Sequence, residues 1–305
     1  MKREIIYLMS GPAHIPYLAV SLATLREHWY GPVRVFAWPE SIDLVREIAK
    51  DERLQITVDL REPVYRARRD ERRQGKNDQF LAKIRLMRSL ADVRLALYLD
   101  ADTSVHGDLM PLFQLAEAYT FVATRFSSWT TAGGVVRARI ERLREFPAID
   151  RNCIEETLRL AWPSVNGGVF CCSPRSCVLE TWERWTWEAR HVFIADEAVL
   201  HVLQPLFEPS GQMAVWPDGR FNCSCNPKWM PEGLSEKDIV VWHYHGDSAV
   251  RPLKHGGYAH RRWWPLWLRC LAENLGNCRE WAPTERNGWL GNRWWSSIEN
   301  QEGLV

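Results

Sequence analysis

The 305-residue sequence has no apolar stretch as long as a membrane-spanning helix, which needs about 20 predominantly apolar residues. Its first apolar run, at residues 5–9, is also too short for the hydrophobic region of a signal peptide. The sequence therefore predicts neither a transmembrane nor a secreted protein, and we expect a cytoplasmic location.

An excess of charge of one sign is also missing. The 39 basic and 38 acidic residues give a formal net charge of +1, so the composition gives no reason to expect a nucleic-acid partner. One basic cluster, interrupted by Asp70 and Glu71, is typical of a solvated face, and the alternative is a rim that attracts an anionic substrate. Its basic residues are Arg66, Arg68, Arg69, Arg72, Arg73 and Lys76.

The eight cysteines lack the spacing of a zinc site. Cys223 and Cys225 are separated by one residue instead of two, and no second matching pair lies nearby. In a chain of this length without a secretion signal, reduced thiols are favoured over disulfides. We therefore expect free cysteines and no structural zinc.

Apolar segments of strand and helix character alternate along the first half of the chain. Strands are predicted at 5–9, 33–37, 54–58 and 95–99, and helices at 16–27, 42–49 and 80–91. Further strands are predicted at 121–123, 169–172 and 239–242, and further helices at 138–145, 153–160, 175–190 and 195–203. This alternation indicates an α/β fold with a mixed, mainly parallel sheet flanked by helices.

The composition changes after about residue 257, where Trp, Arg, Asn and Gly become frequent. We interpret residues 1–256 as one domain and residues 257–305 as an irregular extension packed on it. Three roles are open for its Trp and Arg cluster: peripheral membrane contact, stacking on sugars, or packing of the tail. The cluster comprises Arg261, Arg262, Trp263, Trp264, Pro265, Leu266 and Trp267.

Asp100 and Asp102 directly follow the apolar strand at 95–99, with one small residue between them. Two unpaired carboxylates cannot both be buried in a packed core at acceptable cost. A divalent cation such as Mg²⁺ or Mn²⁺ explains the pair, because hard cations prefer oxygen ligands and can bridge a diphosphate. The alternative is a solvated turn with a helix cap.

His243 and His245 follow the strand predicted at 239–242, and Gly246 after them allows close approach of the backbone to a ligand. An imidazole added to two carboxylates would favour Mn²⁺ over Mg²⁺, because Mg²⁺ prefers oxygen ligands alone. Arg251 and Lys254, a few residues further on, could neutralise a departing diphosphate.

Four segments in this order resemble the GT-A glycosyltransferases, most closely the retaining glycosyltransferase family 8 of glycogenin and bacterial lipooligosaccharide galactosyltransferases. Residues 98–109 (YLDADTSVHGDL) are similar to the metal-binding strand of that family. Residues 165–170 (VNGGVF) are similar to its Asn-x-Gly-Val strand, the pair Asp196 and Glu197 to its Asp-Gln pair, and residues 243–246 (HYHG) to its His-x-x-Gly motif.

The resemblance implies a role for each matching residue. Asp100, Asp102 and His243 would bind Mn²⁺. Asp196 would bind sugar hydroxyls, and Lys83 would contact the donor sugar or phosphate; the alternative for Lys83 is a lysine whose ammonium reaches water along an apolar surface. The strand end formed by Met9, Ser10 and Gly11 would meet the nucleoside, and the donor and acceptor cleft would be lined by Asn166 and Gly167.

Two positions depart from the family pattern. The family's Lys-Pro-Trp after the His-x-x-Gly motif is replaced by Arg251, Pro252 and Leu253, so the diphosphate contact could be Arg251 or Lys254. Glu197 stands in place of the usual Gln. A carboxylate there could act as a nucleophile at the anomeric carbon, or it could orient neighbouring groups.

These motifs predict an Mn²⁺-dependent, retaining glycosyltransferase that moves a sugar from a nucleotide-diphosphate sugar, with UDP favoured, to a saccharide, glycolipid or protein acceptor. A sugar nucleotidyltransferase would need a basic glycine-rich loop after the first strand, and residues 10–14 lack the basic residue. A non-catalytic sugar- or nucleotide-binding module is the remaining alternative, and the intact Asp100, Asp102 and His243 argue against it.

Overall fold

The computed structural model describes residues 2–63, 75–244 and 258–281. The largest sheet has seven strands in the order β3-β2-β1-β4-β7-β6-β8, and β7 is the one strand of this sheet that runs opposite to its neighbours. Its strands are β1 (Arg3–Met9), β2 (Val33–Ala37), β3 (Ile56–Leu60), β4 (Leu95–Leu99), β6 (Phe121–Thr130), β7 (Pro163–Cys172) and β8 (Met213–Trp216). The predicted α/β fold with a mixed, mainly parallel sheet is confirmed.

Helices cover both faces of this sheet. They are α1 (Ile15–Leu25), α2 (Ile42–Ala49), α3 (Gly75–Arg88), α4 (Met110–Tyr119), α5 (Gly134–Arg142), α6 (Arg151–Leu160), α7 (Cys177–Glu188) and α8 (Ala195–Phe207), followed near the C-terminus by α9 (Tyr258–Glu273) and α10 (Cys278–Trp281). Successive residues of a strand face opposite sides, so Leu97 of β4 packs in one core cluster and Tyr98 in the other. This two-sided burial explains why β4 is apolar throughout.

A smaller three-stranded sheet lies beyond the carboxyl end of β4. It has the order β5-β10-β9, with β5 (Thr103–Val105), β9 (Cys223–Ser224) and β10 (Val241–His243). β10 is antiparallel to β5 and parallel to β9. Since β5 follows β4 after only three residues, this sheet brings the C-terminal half of the chain to the end of the central strand.

The C-terminal segment differs from the sequence prediction of an irregular extension, because residues 258–273 form helix α9. Its Trp263 and Trp267 are buried, stack with ring centroids 5.6 Å apart, and pack with Tyr17 of α1 in the core. Of the three roles open for the cluster, these two tryptophans pack the C-terminal segment onto the domain, and their buried rings cannot contact lipid or sugar. Pro265 lies inside this helix, where it removes one backbone donor without ending the helix.

Several other predictions from the sequence can be compared with the structure. All eight cysteines are free, as predicted. In the described ranges no helix is long and apolar enough to cross a membrane. Strands β5, β8 and β9 and helix α4 were not predicted, and the basic residues at 66–73 lie outside the described residues. The boundary between residues 256 and 257 remains a prediction.

Candidate active site and metal centre

Asp100 and Asp102 form the turn between β4 and β5. The backbone N–H of Asp100 donates to the carbonyl of Gly168 on β7 at 2.7 Å, so the turn starts where the sheet ladder ends. In the β5–β10 ladder, His243 lies opposite Thr103, the residue after Asp102. The N–H of Tyr244 also donates to the carbonyl of Asp102 at 2.8 Å. Strand pairing thus places His243 beside both carboxylates.

The three side chains converge as a candidate metal centre. His243 Nε2 lies 3.3 Å from Asp102 Oδ1 and 3.7 Å from Asp100 Oδ2, and one ligand atom from each residue lies within 4.8 Å of the others. Two ligands about 2.1 Å from an octahedral ion are separated by about 3 Å, so modest closure would suit Mg²⁺ or Mn²⁺. The donor set therefore fits a divalent cation.

The electrostatics of the cluster favour the same conclusion. Burial raises the pKa of Asp100; the Lys83 ammonium lowers it, the adjacent Asp102 carboxylate raises it, and the net shift is upward. Burial alone would lower the pKa of His243, but Asp102 and Asp100 raise it above its ordinary value. Asp100 and Asp102 thus favour a positive charge between them. A divalent cation bound there would also relieve the repulsion between the two carboxylates.

A cleft opens next to this cluster. It is lined by residues predicted for the nucleoside, for the donor sugar or phosphate, and for the metal. Met9 and Ser10 lie at the carboxyl end of β1, Lys83 lies on α3, and Asp100 and Asp102 complete that side. Gly11 directly follows Ser10. The cleft is also lined by Leu8, His14, Phe80, Tyr98 and Ala101, which the sequence did not single out.

Lys83 does not extend its ammonium to water, because its side chain is buried against Asp196 at the start of α8. The snorkelling alternative for Lys83 is therefore wrong. Gly167 leaves room for this ammonium beside β7, because a Cβ added there would lie only 2.9 Å from Lys83 Nζ. Lys83, Gly167 and Asp196 thus form one side of the site.

Asn166 and Glu197 form a second polar pair near the candidate metal centre. Asn166 Nδ2 donates to Glu197 Oε1 at 2.5 Å, and Arg139 Nη1 lies 3.3 Å from Glu197 Oε2. Burial raises the pKa of Glu197 to about 7, the neighbouring Asp196 adds to the increase, and Arg139 opposes it. Both carboxylate oxygens of Glu197 consequently have partners, and Arg139 is a contact that the sequence did not indicate.

Gly168 brings the backbone of β7 close to the candidate metal centre. An added Cβ would lie 2.7 Å from both Asn166 Oδ1 and Asp100 Oδ2, and closer still to His243 Cε1. Real Cβ atoms are not found at such distances, so no side chain fits at this position without displacing the ligands. The sequence showed the Gly-Gly pair, but its match to the family emphasised Asn166 and Gly167.

Four residues that the sequence placed at or near the site lie outside the described ranges: His245, Gly246, Arg251 and Lys254. Two other residues belong to the site although nothing in the sequence indicated them. Asn222 contacts His243, and Thr124 contacts Asn222. Asn222 lies between β8 and β9 in a segment without periodicity. Only the folded strand pairing brings it next to His243.

Sequence comparison finds no matching family model and no matching curated protein. Solved structures, in contrast, share the fold. Mouse xyloside xylosyltransferase 1 aligns with a TM-score of 0.55 at 11% identity, over 81% of this chain and 99% of that one. The galactosyltransferase LgtC, solved in complex with donor and acceptor sugar analogues, aligns with a TM-score of 0.56 at 16% identity, over 87% of this chain and 95% of that one.

A third similar structure is the glycosyltransferase GlyE of Streptococcus pneumoniae TIGR4. It aligns with a TM-score of 0.51 at 15% identity, over 90% of this chain and 64% of that one. Identities this low establish the fold and not the activity. The chain has the GT-A type fold of these glycosyltransferases, which confirms the predicted resemblance at the level of structure.

Proposed function

We propose that this protein is a glycosyltransferase that moves a sugar from a nucleotide-diphosphate sugar, with UDP favoured, to an acceptor hydroxyl with retention of configuration. The observation that carries the proposal is the convergence of Asp100, Asp102 and His243 beside a cleft at the carboxyl ends of β1 and β4. In open α/β sheets this edge is where ligands bind. The fold supports the same activity class.

The proposed cofactor is Mn²⁺, with Mg²⁺ as the alternative ion. Two carboxylates and one imidazole suit Mn²⁺ better, because Mg²⁺ prefers a shell of oxygen ligands. A divalent cation bound there would supply positive charge next to the diphosphate of the donor. Arg251 and Lys254 are proposed to add to that charge, and either could make the contact.

The remaining residues are proposed to bind and orient the substrates. Met9, Ser10 and Gly11 would meet the nucleoside, since β1 ends at the cleft. Lys83 lines the cleft and is proposed to contact the donor sugar or phosphate, while its partner Asp196 is proposed to bind sugar hydroxyls. Asn166 and Gly167 would line the path between donor and acceptor. Glu197 is proposed to orient Asn166, which donates to it, and a nucleophilic role is the alternative.

We further propose that residues 1–256 form the transferase domain and that residues 257–305 pack on it. The acceptor would be a saccharide, a glycolipid or a protein. Peripheral membrane contact is not part of the proposal, because Trp263 and Trp267 are buried in the core. For the acceptor, a saccharide is the simplest case to test.

The direct test is calorimetry with UDP in the presence and absence of Mn²⁺, followed by a screen of nucleotide sugars for Mn²⁺-dependent hydrolysis and transfer. We expect UDP binding to require Mn²⁺, and Asp102→Asn to abolish both the metal-linked affinity and hydrolysis. Full activity of Asp102→Asn would overturn the metal assignment. Metal-linked UDP binding without hydrolysis or transfer of any sugar would leave a binding module instead.

A further inference from the structure

A buried amide lies behind the histidine of the candidate metal centre. Asn222 and His243 are 0% and 1% exposed, and His243 Nδ1 lies 2.8 Å from Asn222 Oδ1. The other ring nitrogen, Nε2, faces Asp100 and Asp102. The two nitrogens of one imidazole therefore meet an amide on one side and the carboxylate cluster on the other.

The orientation of the Asn222 amide follows from its neighbours. The Thr124 hydroxyl donates to the carbonyl of Val169 at 2.6 Å, so its oxygen is left to accept a hydrogen bond. Asn222 Nδ2 lies 3.0 Å from that oxygen. The carbonyl oxygen and Oδ1 of Asn166, both acceptors, lie 3.4 Å from the same Nδ2. Three acceptors thus hold the amide nitrogen on this side and turn its oxygen to His243.

This orientation decides which tautomer of His243 is compatible with the site. An amide oxygen can only accept, so Nδ1 must carry a proton to bond to it. A neutral imidazole has one N–H, which leaves the lone pair on Nε2, facing Asp100 and Asp102. With the amide reversed, an N–H would face Nδ1, the imidazole proton would move to Nε2, and the nitrogen that faces the carboxylates could not bind a metal.

We propose that Asn222, held by Thr124, is a positioning residue that fixes His243 in the tautomer whose Nε2 can coordinate a metal ion. The inference rests on the proposed metal centre of Asp100, Asp102 and His243. It adds Asn222 and Thr124, which are not among the proposed metal or substrate contacts, and it links the proposed ligand His243 to Asn166 on the strand that is proposed to meet the sugar. Partners of this kind orient ligating histidines and raise their basicity.

The test uses the full-length protein and Mn²⁺ alone as the probe, with free Mn²⁺ measured by electron paramagnetic resonance. We expect Asn222→Leu, which has similar volume and no acceptor, to weaken Mn²⁺ binding by about 10- to 100-fold. Asn222→Asp keeps an oxygen that can accept from Nδ1 but sets its second oxygen against the acceptors of Thr124 and Asn166, so it should bind Mn²⁺ more tightly than Asn222→Leu. Thr124→Val should give a smaller loss than Asn222→Leu, and Thr124→Ser should be close to native.

A spectroscopic readout separates ligand orientation from a general effect on folding. Pulsed electron paramagnetic resonance detects the coupling of bound Mn²⁺ to a coordinated imidazole nitrogen. This coupling should be present in the native protein and in Asn222→Asp, and weakened or lost in Asn222→Leu. Thermal melting of the metal-free variants controls for loss of structure, and Asn222→Asp keeps the inference testable where Asn222→Leu fails to fold.

The outcomes also distinguish this inference from the proposed function. If the native protein binds no Mn²⁺, the proposed metal centre and the proposed role of Asn222 are both overturned. If the native protein binds Mn²⁺ and a folded Asn222→Leu binds it equally well with the same nitrogen coupling, only the role of Asn222 is overturned. A folded Asn222→Asp with no more affinity and nitrogen coupling than a folded Asn222→Leu would also overturn it, because the acceptor would then not be what matters.

Discussion

Lys83 Nζ lies 3.1 Å from Asp196 Oδ2, and the two side chains are only 4% and 1% exposed. The pair joins α3 to the first turn of α8 at the wall of the cleft. Burial would lower the pKa of Lys83, but Asp196 and Asp100 reverse the effect and raise it above its ordinary value. Lys83 therefore stays charged in the interior, where an ion pair contributes less to stability than apolar packing of the same volume would.

Lys83→Met is expected to lower the free energy of unfolding by about 3–5 kcal/mol, because it leaves the buried carboxylate of Asp196 without its counter-ion. Urea denaturation followed by circular dichroism measures the loss. Lys50→Met is the matched control: Lys50 directly follows α2 and its partner Glu47 lies in the last turn, their side chains are 64% and 41% exposed, and the expected loss is at most about 1 kcal/mol.

The double variant Lys83→Met/Asp196→Leu separates stability from function. Removing both charges should restore most of the stability lost in Lys83→Met, since no unpaired charge remains buried. Donor binding should stay impaired, because the proposed sugar contact is gone. A double variant no more stable than Lys83→Met would show that the destabilisation does not come from the unpaired carboxylate.

Gly168→Ala is expected to disrupt the metal centre while the fold remains. The added methyl would come within 2.7 Å of Asn166 Oδ1 and Asp100 Oδ2, so these groups and His243 must shift. Displaced ligands should lower Mn²⁺ affinity by about 10- to 100-fold, as measured by calorimetry. Gly133→Ala is the control, since its Cβ would meet only the Thr130 carbonyl at 3.5 Å. Native-like Mn²⁺ binding by Gly168→Ala would contradict the ligand geometry.

The parts of the site that follow from single strands could be predicted from the sequence. Apolar β4 ends directly before Asp100, and an apolar strand reaches His243, so both residues stood at a recognisable strand end. Asn222 could not be predicted in this way, because its role arises from the parallel pairing of β9 with β10, which brings it within reach of His243. Side chains that act through tertiary contacts leave no periodic signal.

Helix α9 was missed by the sequence prediction for a different reason. Trp263, Trp267 and Cys270 recur at helical spacing and are all buried, so the periodicity of a helix was present. The change in composition to Trp, Arg, Asn and Gly led instead to the prediction of an irregular segment, and the helix also accommodates Pro265. Proline removes one backbone donor, and the packing of the tryptophans against α1 outweighs this local cost.

The C-terminal segment is fastened to the domain through Asp51. Asp51 Oδ2 accepts from the backbone N–H of Gly276 at 2.7 Å, and Arg53 donates both to Asp51 and to the carbonyl of Asn274. Burial raises the pKa of Asp51, but the hydrogen bonds from Arg53 and Gly276 outweigh it and lower the pKa below the ordinary value of 3.8. The ionised carboxylate thus binds the segment in the folded state.

Asp51→Asn is therefore expected to cost about 1–3 kcal/mol of stability at neutral pH. Because the folded pKa is lowered, the contribution of Asp51 is present above pH 3.8 and is lost as the pH falls through the folded pKa. The difference between native and variant should shrink in acid, as measured by urea denaturation across the acid range. Asp43→Asn is the control, since Asp43 is 89% exposed. A difference that does not change with pH would contradict this origin.

Glu197→Gln tests both the ionisation and the role of the carboxylate next to Asn166. Burial raises the pKa of Glu197 from 4.5 to about 7, so the folded state binds its proton more tightly than the unfolded state. Native stability should therefore fall as the pH rises from 4.5 towards 7, and Glu197→Gln should show a smaller fall, because the share that comes from Glu197 is removed. Glu208→Gln should reduce the fall in the same way, since burial also raises the pKa of Glu208 to about 7, and it is the control for transfer because Glu208 follows the opposite end of α8.

For transfer itself, we expect Glu197→Gln to stay within about tenfold of the native rate, whereas loss of a nucleophile costs about 10⁴-fold or more. The reason is geometric: Asn166 and Arg139 already occupy the two oxygens of Glu197, and a Gln amide oxygen can still accept from Asn166. Rates of sugar transfer measured across pH for native, Glu197→Gln and Glu208→Gln decide the matter. Abolished transfer in Glu197→Gln, with Glu208→Gln fully active, would mean that the Glu197 carboxylate leaves these partners to attack the donor sugar.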